Sequence, residues 1–263
     1  MRILAVANQK GGVGKTTTAI NLGAALARRD RRVLLIDLDP QGNASTGLGV
    51  PPEARARTSL DLLLGEATPA EAAQDTATAH LRLVPSTPDL AGADALLAGR
   101  PNRAGTLRAA LRQPAMAALA ADYVLIDCPP SLNTLTLNAL VAAHALLVPL
   151  QSEFFALEGL SQLLLTVREV RKALNPALRI EGVALTMVDR RTTLAQEVER
   201  DARATLGDLV FQTVIPRSVR LSEAPSHGRS VLDHDPLSAG AAAYQALAAE
   251  LLAREPPDAR QEP

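Results

Sequence analysis

The sequence predicts a single α/β domain in which helices flank one doubly wound, mostly parallel β-sheet. Three observations support this: short apolar runs alternate with helical patterns, a glycine-rich loop follows the first run, and aspartates follow two later runs. Continuous apolar strands separated by helices are typical of a parallel sheet that is buried on both faces. We predict that the domain spans residues 1–254, and that residues 255–263, which are polar and proline-rich, form a disordered tail.

The individual elements follow from the same alternation. Apolar runs of about four to eight residues are read as buried strands, and longer patterns with helical spacing are read as helices. The predicted strands are residues 3–7, 33–36, 81–84, 123–126, 145–149, 180–187 and 209–215. The predicted helices are residues 16–29, 135–142, 157–174, 194–206 and 237–253, with further alanine-rich helices between residues 69 and 121.

Composition excludes several classes of protein. The formal net charge of −1 gives no overall attraction to nucleic acid or membrane, so any such binding needs a local patch. Cys128 is the single cysteine, which excludes a disulfide framework and a CxxC motif and favours a reducing, cytoplasmic compartment. Aromatic residues make up only 2% of the chain, too few for base-stacking platforms. The uncharged run 128–152 contains three prolines, so we read it as a loop, a helix and a strand and expect no membrane association.

The strongest motif is a phosphate-binding loop at residues 10–17, KGGVGKTT. It follows a predicted strand and opens a helix, where glycines let main-chain N–H groups converge on phosphate oxygens and the helix N-terminus adds positive charge. Lys15 is placed to reach the β- and γ-phosphates, and the Thr16 hydroxyl to ligate Mg²⁺. We therefore predict ATP and Mg²⁺ as cofactors. The predicted nucleotide-binding residues are Gly11, Gly12, Val13, Gly14, Lys15, Thr16 and Thr17.

Carboxylates follow two of the predicted strands. Asp37 and Asp39 follow the second strand, and Asp127 follows the fourth. Ligands of open α/β sheets bind at the carboxyl ends of strands, so these side chains are candidates for holding Mg²⁺ or the attacking water. The alternative is that they only end a strand or cap a helix. Cys128 beside them is interpreted as a small buried residue, because no histidine lies near it in sequence.

The phosphate loop departs from the ordinary GxxxxGK[ST] pattern: Gln9 stands at the first glycine position, and a second lysine, Lys10, follows it. This KGGxGKTT loop resembles the deviant Walker A loop of P-loop NTPases such as MinD, the ParA/Soj partition ATPases and the nitrogenase iron protein. The resemblance implies that Lys10 reaches across an ATP-dependent sandwich homodimer to the partner's phosphates. From the residues alone, Lys10 lies too far round the loop to serve the same phosphate as Lys15.

Other segments narrow the resemblance to ParA/Soj proteins: LLIDLDPQGNAS at residues 34–45, LIDCPPSL at 125–132, and the segments 185–192 and 215–226. The resemblance implies that Asp127 acts on Mg²⁺ as the Walker B carboxylate. It also implies that Asp39 positions the hydrolytic water and that Asp37 holds either the metal shell or Lys15. The same resemblance places the adenine near three residues of the C-terminal half, namely Met187, Pro216 and Arg217.

Arginines concentrate in the C-terminal half of the chain, interleaved with acidic residues. Exposed arginines can neutralise DNA phosphates without reading bases, although a solvated face with local ion pairs would show the same pattern. The resemblance implies an ATP-dependent dimer that binds double-stranded DNA non-specifically until a ParB/Spo0J-type partner stimulates hydrolysis. It also implies a cytoplasmic, nucleoid-associated protein. The predicted DNA-binding residues are Arg190, Arg217 and Arg220.

Two alternative functions remain. A MinD-like ATPase would bind membranes through a basic amphipathic C-terminal helix, whereas residues 251–257 are broken by prolines and lack a basic face. A metabolic synthetase on the same scaffold, of the dethiobiotin or cobyric-acid type, would need an acceptor pocket that the sequence does not reveal. The phosphate loop begins near the start of the sequence, so we expect no preceding domain for sequence-specific operator binding.

Overall fold

A seven-stranded sheet forms the centre of the molecule in the computed structural model, which describes residues 1–152 and 156–255. Most of the expected tail, residues 256–263, lies outside the described residues. The strand order is β3-β4-β2-β5-β1-β6-β7, and every pair is parallel except β3 with β4. The strands are β1 (Arg2–Val6), β2 (Val33–Asp37), β3 (Gln74–Asp75), β4 (Leu81–Val84), β5 (Tyr123–Asp127), β6 (Ala145–Gln151) and β7 (Arg179–Thr186).

Helices connect the strands and cover the sheet, which confirms the predicted doubly wound architecture. The five helices predicted individually are all present within a few residues of the expected limits. The described helices are α1 (Lys15–Ala27), α2 (Asn43–Gly47), α3 (Ser59–Leu64), α4 (Pro69–Ala72), α5 (Ala93–Leu97), α6 (Thr106–Leu111), α7 (Thr134–Ala142), α8 (Ala156–Ala173), α9 (Thr193–Leu206), α10 (Val219–Glu223), α11 (Val231–His234) and α12 (Ala239–Ala253).

Two hydrophobic cores lie on opposite faces of the sheet. In β2, Leu34 and Ile36 pack into one core, while Val33 and Leu35 pack into the other. Successive side chains of a strand point to opposite faces, so a strand buried on both sides must be apolar at every position. This requirement explains why the central strands read as continuous apolar runs.

The last predicted strand is wrong. Val210 and Pro216 form isolated bridges, and no named strand lies between them in the described chain. The main-chain N–H groups of Gln212 and Thr213 donate instead to the Glu250 carboxylate of α12, at 2.7 and 2.9 Å. The segment still contacts β7 at both ends, where the Phe211 and Ile215 N–H groups donate to the Val183 and Leu185 carbonyls at 2.9 and 2.8 Å, but Glu250 interrupts the ladder between them.

The strand register aligns the carboxyl ends of three central strands. Asp127 at the end of β5 pairs with Val6 on one side and with Asp37 on the other. The loop after β1 and both aspartate segments therefore meet at one edge of the sheet. In the part of the chain that the structure describes, no helix is long and apolar enough to cross a membrane.

Candidate nucleotide-binding site

The predicted phosphate loop connects β1 to α1. Gly12 and Gly14 have φ angles of +75° and +83°, in the left-handed region that favours glycine. Gly14 lies at the N-cap of α1, so the main-chain N–H groups of the first helical turn point into the loop. Gly11 and Gly12 are exposed, whereas Val13 is buried and its carbonyl accepts a hydrogen bond from Thr186 Oγ1 at 2.8 Å. The loop is thus anchored at its centre and open at its tip.

Lys15 is buried at the base of this loop. Its Nζ donates to the main-chain carbonyl of Lys10 at 3.1 Å, so the side chain lies along the inside of the loop. Burial lowers the pKa of Lys15, while the nearby Asp127 and Asp39 carboxylates act in the opposite direction. The predicted lysine and two of the predicted carboxylates therefore share one site.

Lys10 begins the loop and is partly exposed. Its N–H donates to Asn8 Oδ1 at 3.1 Å, and the Asn8 side-chain amide donates to the Pro149 carbonyl at 2.7 Å. The start of the loop is therefore fastened to the end of β6. Sequence reasoning did not single out Asn8, although a buried asparagine directly after an apolar strand is a usable signal.

Asp127 is completely buried at the end of β5. Neither of its carboxylate oxygens accepts a hydrogen bond of normal geometry from any residue that the structure describes. Burial raises the pKa of Asp127 well above its ordinary value, and the Asp37 charge raises it further, whereas Thr16 and Lys15 act in the opposite direction. A buried carboxylate without donors is costly unless a cation or proton compensates it.

Asp37, also fully buried, is by contrast well supplied with donors. Its Oδ2 accepts hydrogen bonds from the Ser45 N–H at 2.8 Å and the Ser45 hydroxyl at 2.7 Å, and its Oδ1 accepts from the Asp39 N–H at 3.2 Å. Burial raises the pKa of Asp37 to about 6, and these hydrogen bonds oppose the rise. Its contacts make Asp37 an organiser of the segment between β2 and α2.

Asp39 lies two residues beyond β2 and is 8% exposed. Its Oδ1 accepts the Gln41 N–H at 3.0 Å, which closes a tight turn over the next residues. Its carbonyl accepts the Gly42 N–H at 2.9 Å and the Ser86 hydroxyl at 2.7 Å. Sequence reasoning did not identify Ser86, because this residue reaches the site only through the pairing of β4 with β2.

Cys128 next to Asp127 is buried, and its Sγ contacts the Ile126 carbonyl at 3.6 Å. Burial and the Asp127 charge raise the pKa of the thiol, so it stays protonated near neutral pH. This environment agrees with the interpretation of Cys128 as a packing residue.

A pocket of about 180 Å³ adjoins the phosphate loop beside Gly14. All three residues predicted to lie near the adenine line it, together with Gly14 and Thr17 of the phosphate loop and six residues that sequence reasoning did not assign to the site. Tyr244 of α12 illustrates why: it is fully buried, lies far along the chain and contacts Thr18 Oγ1 at 3.1 Å. The residues predicted to lie near the adenine are Met187, Pro216 and Arg217, and the six unassigned ones are Thr186, Ile215, Ser218, Leu221, Ser222 and Tyr244.

The three predicted DNA-binding arginines are exposed but have different surroundings. Arg190 and Arg217 form no salt bridge with another described residue. Arg220 pairs with the Glu223 carboxylate at 2.8 Å and with Asp235 at 3.3 Å. Within the same surface region, Arg191 pairs with Asp189 at 2.7 Å and is likewise neutralised locally. Thus Arg191 and Arg220 form local ion pairs, whereas Arg190 and Arg217 form none with the described residues.

Comparisons with known proteins agree with this geometry. A family model described as an AAA domain matches residues 1–180. The chain is 55% identical over 259 residues to the chromosome partitioning protein ParA of Caulobacter vibrioides, covering 97% of this chain and 95% of that protein. It is also 55% identical over 254 residues to the chromosome-partitioning ATPase Soj of Thermus thermophilus, covering 97% and 96%.

Among solved structures, the chain resembles cobyrinic acid a,c-diamide synthase from Mycobacterium smegmatis with bound ADP and magnesium. The TM-score is 0.83 at 42% identity, covering 96% of this chain and 94% of that one. The relatives with the higher identity are both chromosome-partitioning proteins, and they match nearly the whole chain. By its sequence and its fold, the chain belongs to the ParA/Soj family of chromosome-partitioning ATPases.

Proposed function

We propose that this protein binds ATP with Mg²⁺ at the phosphate loop, and that ATP hydrolysis separates a DNA-bound dimer and releases the DNA. The observation that best supports the proposal is the Asp127 carboxylate, buried without donors beside Lys15 at the end of β5. A divalent cation would supply the missing compensation, and Mg²⁺ is commonly held by one or two carboxylates together with nucleotide phosphates. Asp127 and Thr16 would hold the ion, with Asp37 behind them, and the ion would neutralise charge on the phosphates.

The loop residues from Gly11 to Thr17 would enclose the phosphates through their main-chain N–H groups. Lys15 would exchange its hydrogen bond to the Lys10 carbonyl for one to a phosphate oxygen, a small movement within the same loop. Asp39 would orient the attacking water, because it is the least buried of the three carboxylates and its main chain is fixed on two sides. The adenine would occupy the pocket beside Gly14.

The shape of the loop supports the proposal of a homodimer. Gly11 and Gly12 are exposed at its tip, and Lys10 is partly exposed beside them. A second copy of the chain could approach these glycines closely, since they present no side chain. Lys10 of each copy would then contribute positive charge to the nucleotide of the other, as an arginine finger does in other nucleotide hydrolases.

DNA binding would use Arg190 and Arg217, which form no salt bridge with a described residue, and Arg220 after release from its carboxylates. Dimerisation would join two copies of this weakly binding arginine patch in one particle. ATP, by forming the dimer, could therefore turn weak DNA binding into stable binding. By analogy with the chromosome-partitioning relatives, we propose that a ParB/Spo0J-type protein stimulates hydrolysis. We also propose that the protein works in the cytoplasm at the nucleoid.

A synthetase is the second candidate, because the solved structure reported above is described as a cobyrinic acid a,c-diamide synthase. The pocket beside the loop, about 180 Å³, suits a nucleotide base and is small for a second, macrocyclic substrate. The synthetase hypothesis predicts phosphate release that depends on added cobyrinic acid. The partition hypothesis predicts no such dependence.

The test is binding to random-sequence duplex DNA at several salt concentrations, with ATP, ADP or no nucleotide. The proposal predicts binding with ATP only, weakened steeply by salt and equal on unrelated sequences. Asp39→Ala should prolong the DNA-bound state, because it keeps ATP binding and removes the water-orienting carboxylate. Intact nucleotide binding without DNA binding in any state would contradict the proposal.

A further inference from the structure

One fully buried side chain, Ser86, fastens the Asp39 turn to the neighbouring strand. Ser86 lies two residues beyond β4, at the same edge of the sheet as the phosphate loop. Its hydroxyl donates to the Asp39 carbonyl at 2.7 Å. The other acceptor in reach, the Thr87 carbonyl, is 3.4 Å away, so the Asp39 contact is the stronger of the two.

The main chain of Ser86 extends this attachment to Asp37. The Ser86 N–H donates to Ser45 Oγ at 3.0 Å, and Ser45 Oγ in turn donates to Asp37 Oδ2 at 2.7 Å. Ser45 is fully buried in α2. Ser86 is therefore connected by hydrogen bonds to both aspartates that follow β2, one through its hydroxyl and one through its N–H.

A buried arginine holds Ser86 from the other side. Arg55 Nη1 donates to the Ser86 carbonyl at 2.9 Å, and Nη2 donates to Thr46 Oγ1 at 2.8 Å and to the Val50 carbonyl at 2.8 Å. Arg55 is 8% exposed and forms no salt bridge with the described residues. The Arg55 guanidinium is planar and donates only to neutral acceptors. Its hydrogen bonds to Thr46 in α2 and to the Ser86 carbonyl therefore hold these two segments at a fixed distance.

We propose that Ser86 is a positioning residue for ATP hydrolysis, which holds the main chain at Asp39 so that its carboxylate keeps its place beside the attacking water. This inference rests on the proposed role of Asp39. The Asp39 carbonyl also accepts the Gly42 N–H, so the turn itself survives loss of the Ser86 hydroxyl. What is lost is the attachment of the turn to β4, and small misplacements of a reacting group reduce rates strongly.

The chain offers a matched control in Ser59. Its hydroxyl is also fully buried but has no hydrogen-bond partner in the described structure. Its N–H donates to the Pro85 carbonyl at 2.8 Å, so it lies against the same loop. Ser59→Ala removes the same atom as Ser86→Ala from a neighbouring buried position, without touching the Asp39 turn.

The experiment compares the two variants by single-turnover ATP hydrolysis, by affinity for a fluorescent ATP analogue, and by hydrogen exchange of the Gly42 amide. Ser86→Ala should lower the hydrolysis rate about tenfold or more, leave nucleotide affinity within about twofold, and speed exchange at Gly42. Ser59→Ala should change none of these quantities. Ser86→Thr, which keeps the hydroxyl, should restore hydrolysis to near the wild-type rate.

Asp39→Ala separates this inference from the proposed function. If Asp39→Ala abolishes hydrolysis while Ser86→Ala leaves the rate and the Gly42 exchange unchanged, the positioning role is overturned and the role of Asp39 stands. If Asp39→Ala hydrolyses ATP normally, both assignments are overturned. A Ser86→Ala variant that loses nucleotide affinity together with hydrolysis would show a structural role only, and would also overturn the inference.

Discussion

Asp37 and Asp127 are direct register partners at the ends of adjacent parallel strands, yet their hydrogen bonding is opposite. Asp37 accepts three hydrogen bonds, whereas neither oxygen of Asp127 accepts one of normal geometry from the described residues. Two buried carboxylates side by side repel each other, and this raises the pKa of Asp127 above what burial alone would do. The fold thus commits the Asp37 carboxylate to hydrogen bonds within the protein and leaves the Asp127 carboxylate without them.

Replacing Asp127 by Asn tests this arrangement. The variant replaces a carboxyl group whose charged form is disfavoured by burial and by Asp37 with a neutral amide, so the nucleotide-free protein should melt at a higher temperature. The gain should be about 1–3 kcal/mol, at about 2–4 °C per kcal/mol for a chain of this size. The same variant should lose the additional stabilisation that Mg²⁺ gives to a bound ATP analogue. Thermal melting with the analogue, with and without Mg²⁺, measures both effects.

Asp201→Asn is the control for this measurement. Asp201 is exposed and only loosely paired with Arg200, at 3.7 Å, so its substitution should alter neither quantity. An Asp127→Asn protein that retained a full Mg²⁺-dependent shift in melting temperature would show that the ion is held elsewhere.

Sequence patterns predicted those parts of the fold and site that depend on local order. The apolar strands, the loop before α1 and the aspartates after β2 and β5 all follow from short segments, and the structure brings them to one edge. Long-range partners could not be predicted in this way. Ser86 and Tyr244 reach the site through strand pairing and helix packing, which leave no motif in the chain.

The one wrong strand has the same explanation. The apolar run 209–215 predicts a seventh parallel strand, but the Glu250 carboxylate accepts two of the main-chain N–H groups that a ladder would need. A pattern of neighbouring residues cannot reveal a competing hydrogen-bond acceptor on a helix that is far away in the sequence. Similarly, the pairing of Arg220 with Asp235 joins residues that no local charge pattern connects.

Gly11→Val should separate nucleotide binding from dimerisation. A side chain at this position meets no atom within 4 Å in the single chain, and Gly11 is exposed. Affinity for ATP should therefore stay within about twofold, whereas close approach of a second copy should be blocked. Light scattering after size exclusion, in an Asp39→Ala background that prevents hydrolysis, would report the ATP-dependent dimer.

The matched control is Gly99→Val, which places the same side chain in equally open space on an exposed residue away from the loop. It should dimerise with ATP as the parent does. Normal dimerisation of the Gly11→Val protein would instead show that the loop tip does not lie at a dimer interface.

Arginine substitutions should affect DNA binding according to their local partners. Each contact to a DNA phosphate contributes about 0.9 to the slope of log affinity against log salt. Arg190→Ala and Arg217→Ala should each lower that slope by about 2 for the dimer, which carries each arginine twice, since neither guanidinium forms a salt bridge with a described carboxylate. Arg191→Ala should leave the slope unchanged, because Asp189 holds Arg191 through two hydrogen bonds of 2.9 and 2.7 Å. Equal effects at all three positions would contradict this ranking.

His144 should make stability fall as the solution becomes mildly acidic. Its Nδ1 accepts the Ile3 N–H at 2.9 Å, which requires that nitrogen to be unprotonated. Partial burial of the ring lowers the pKa of His144, which as a whole residue is exposed, and the N-terminal amine, Arg179, Arg2 and Arg112 lower it further. The unfolded chain therefore binds a proton first as pH drops below about 6.5, the ordinary histidine value.

The sign of the effect follows from this difference. The contribution of His144 is fully present above pH 6.5 and is lost as pH falls toward the lowered pKa of the folded state. In His144→Asn the amide oxygen can accept the same N–H and does not titrate, so that variant should lack this component. Urea unfolding of both proteins between about pH 7.5 and 5.5 should show the wild type losing stability relative to the variant. Parallel stability curves would mean that His144 is protonated alike in the folded and unfolded states.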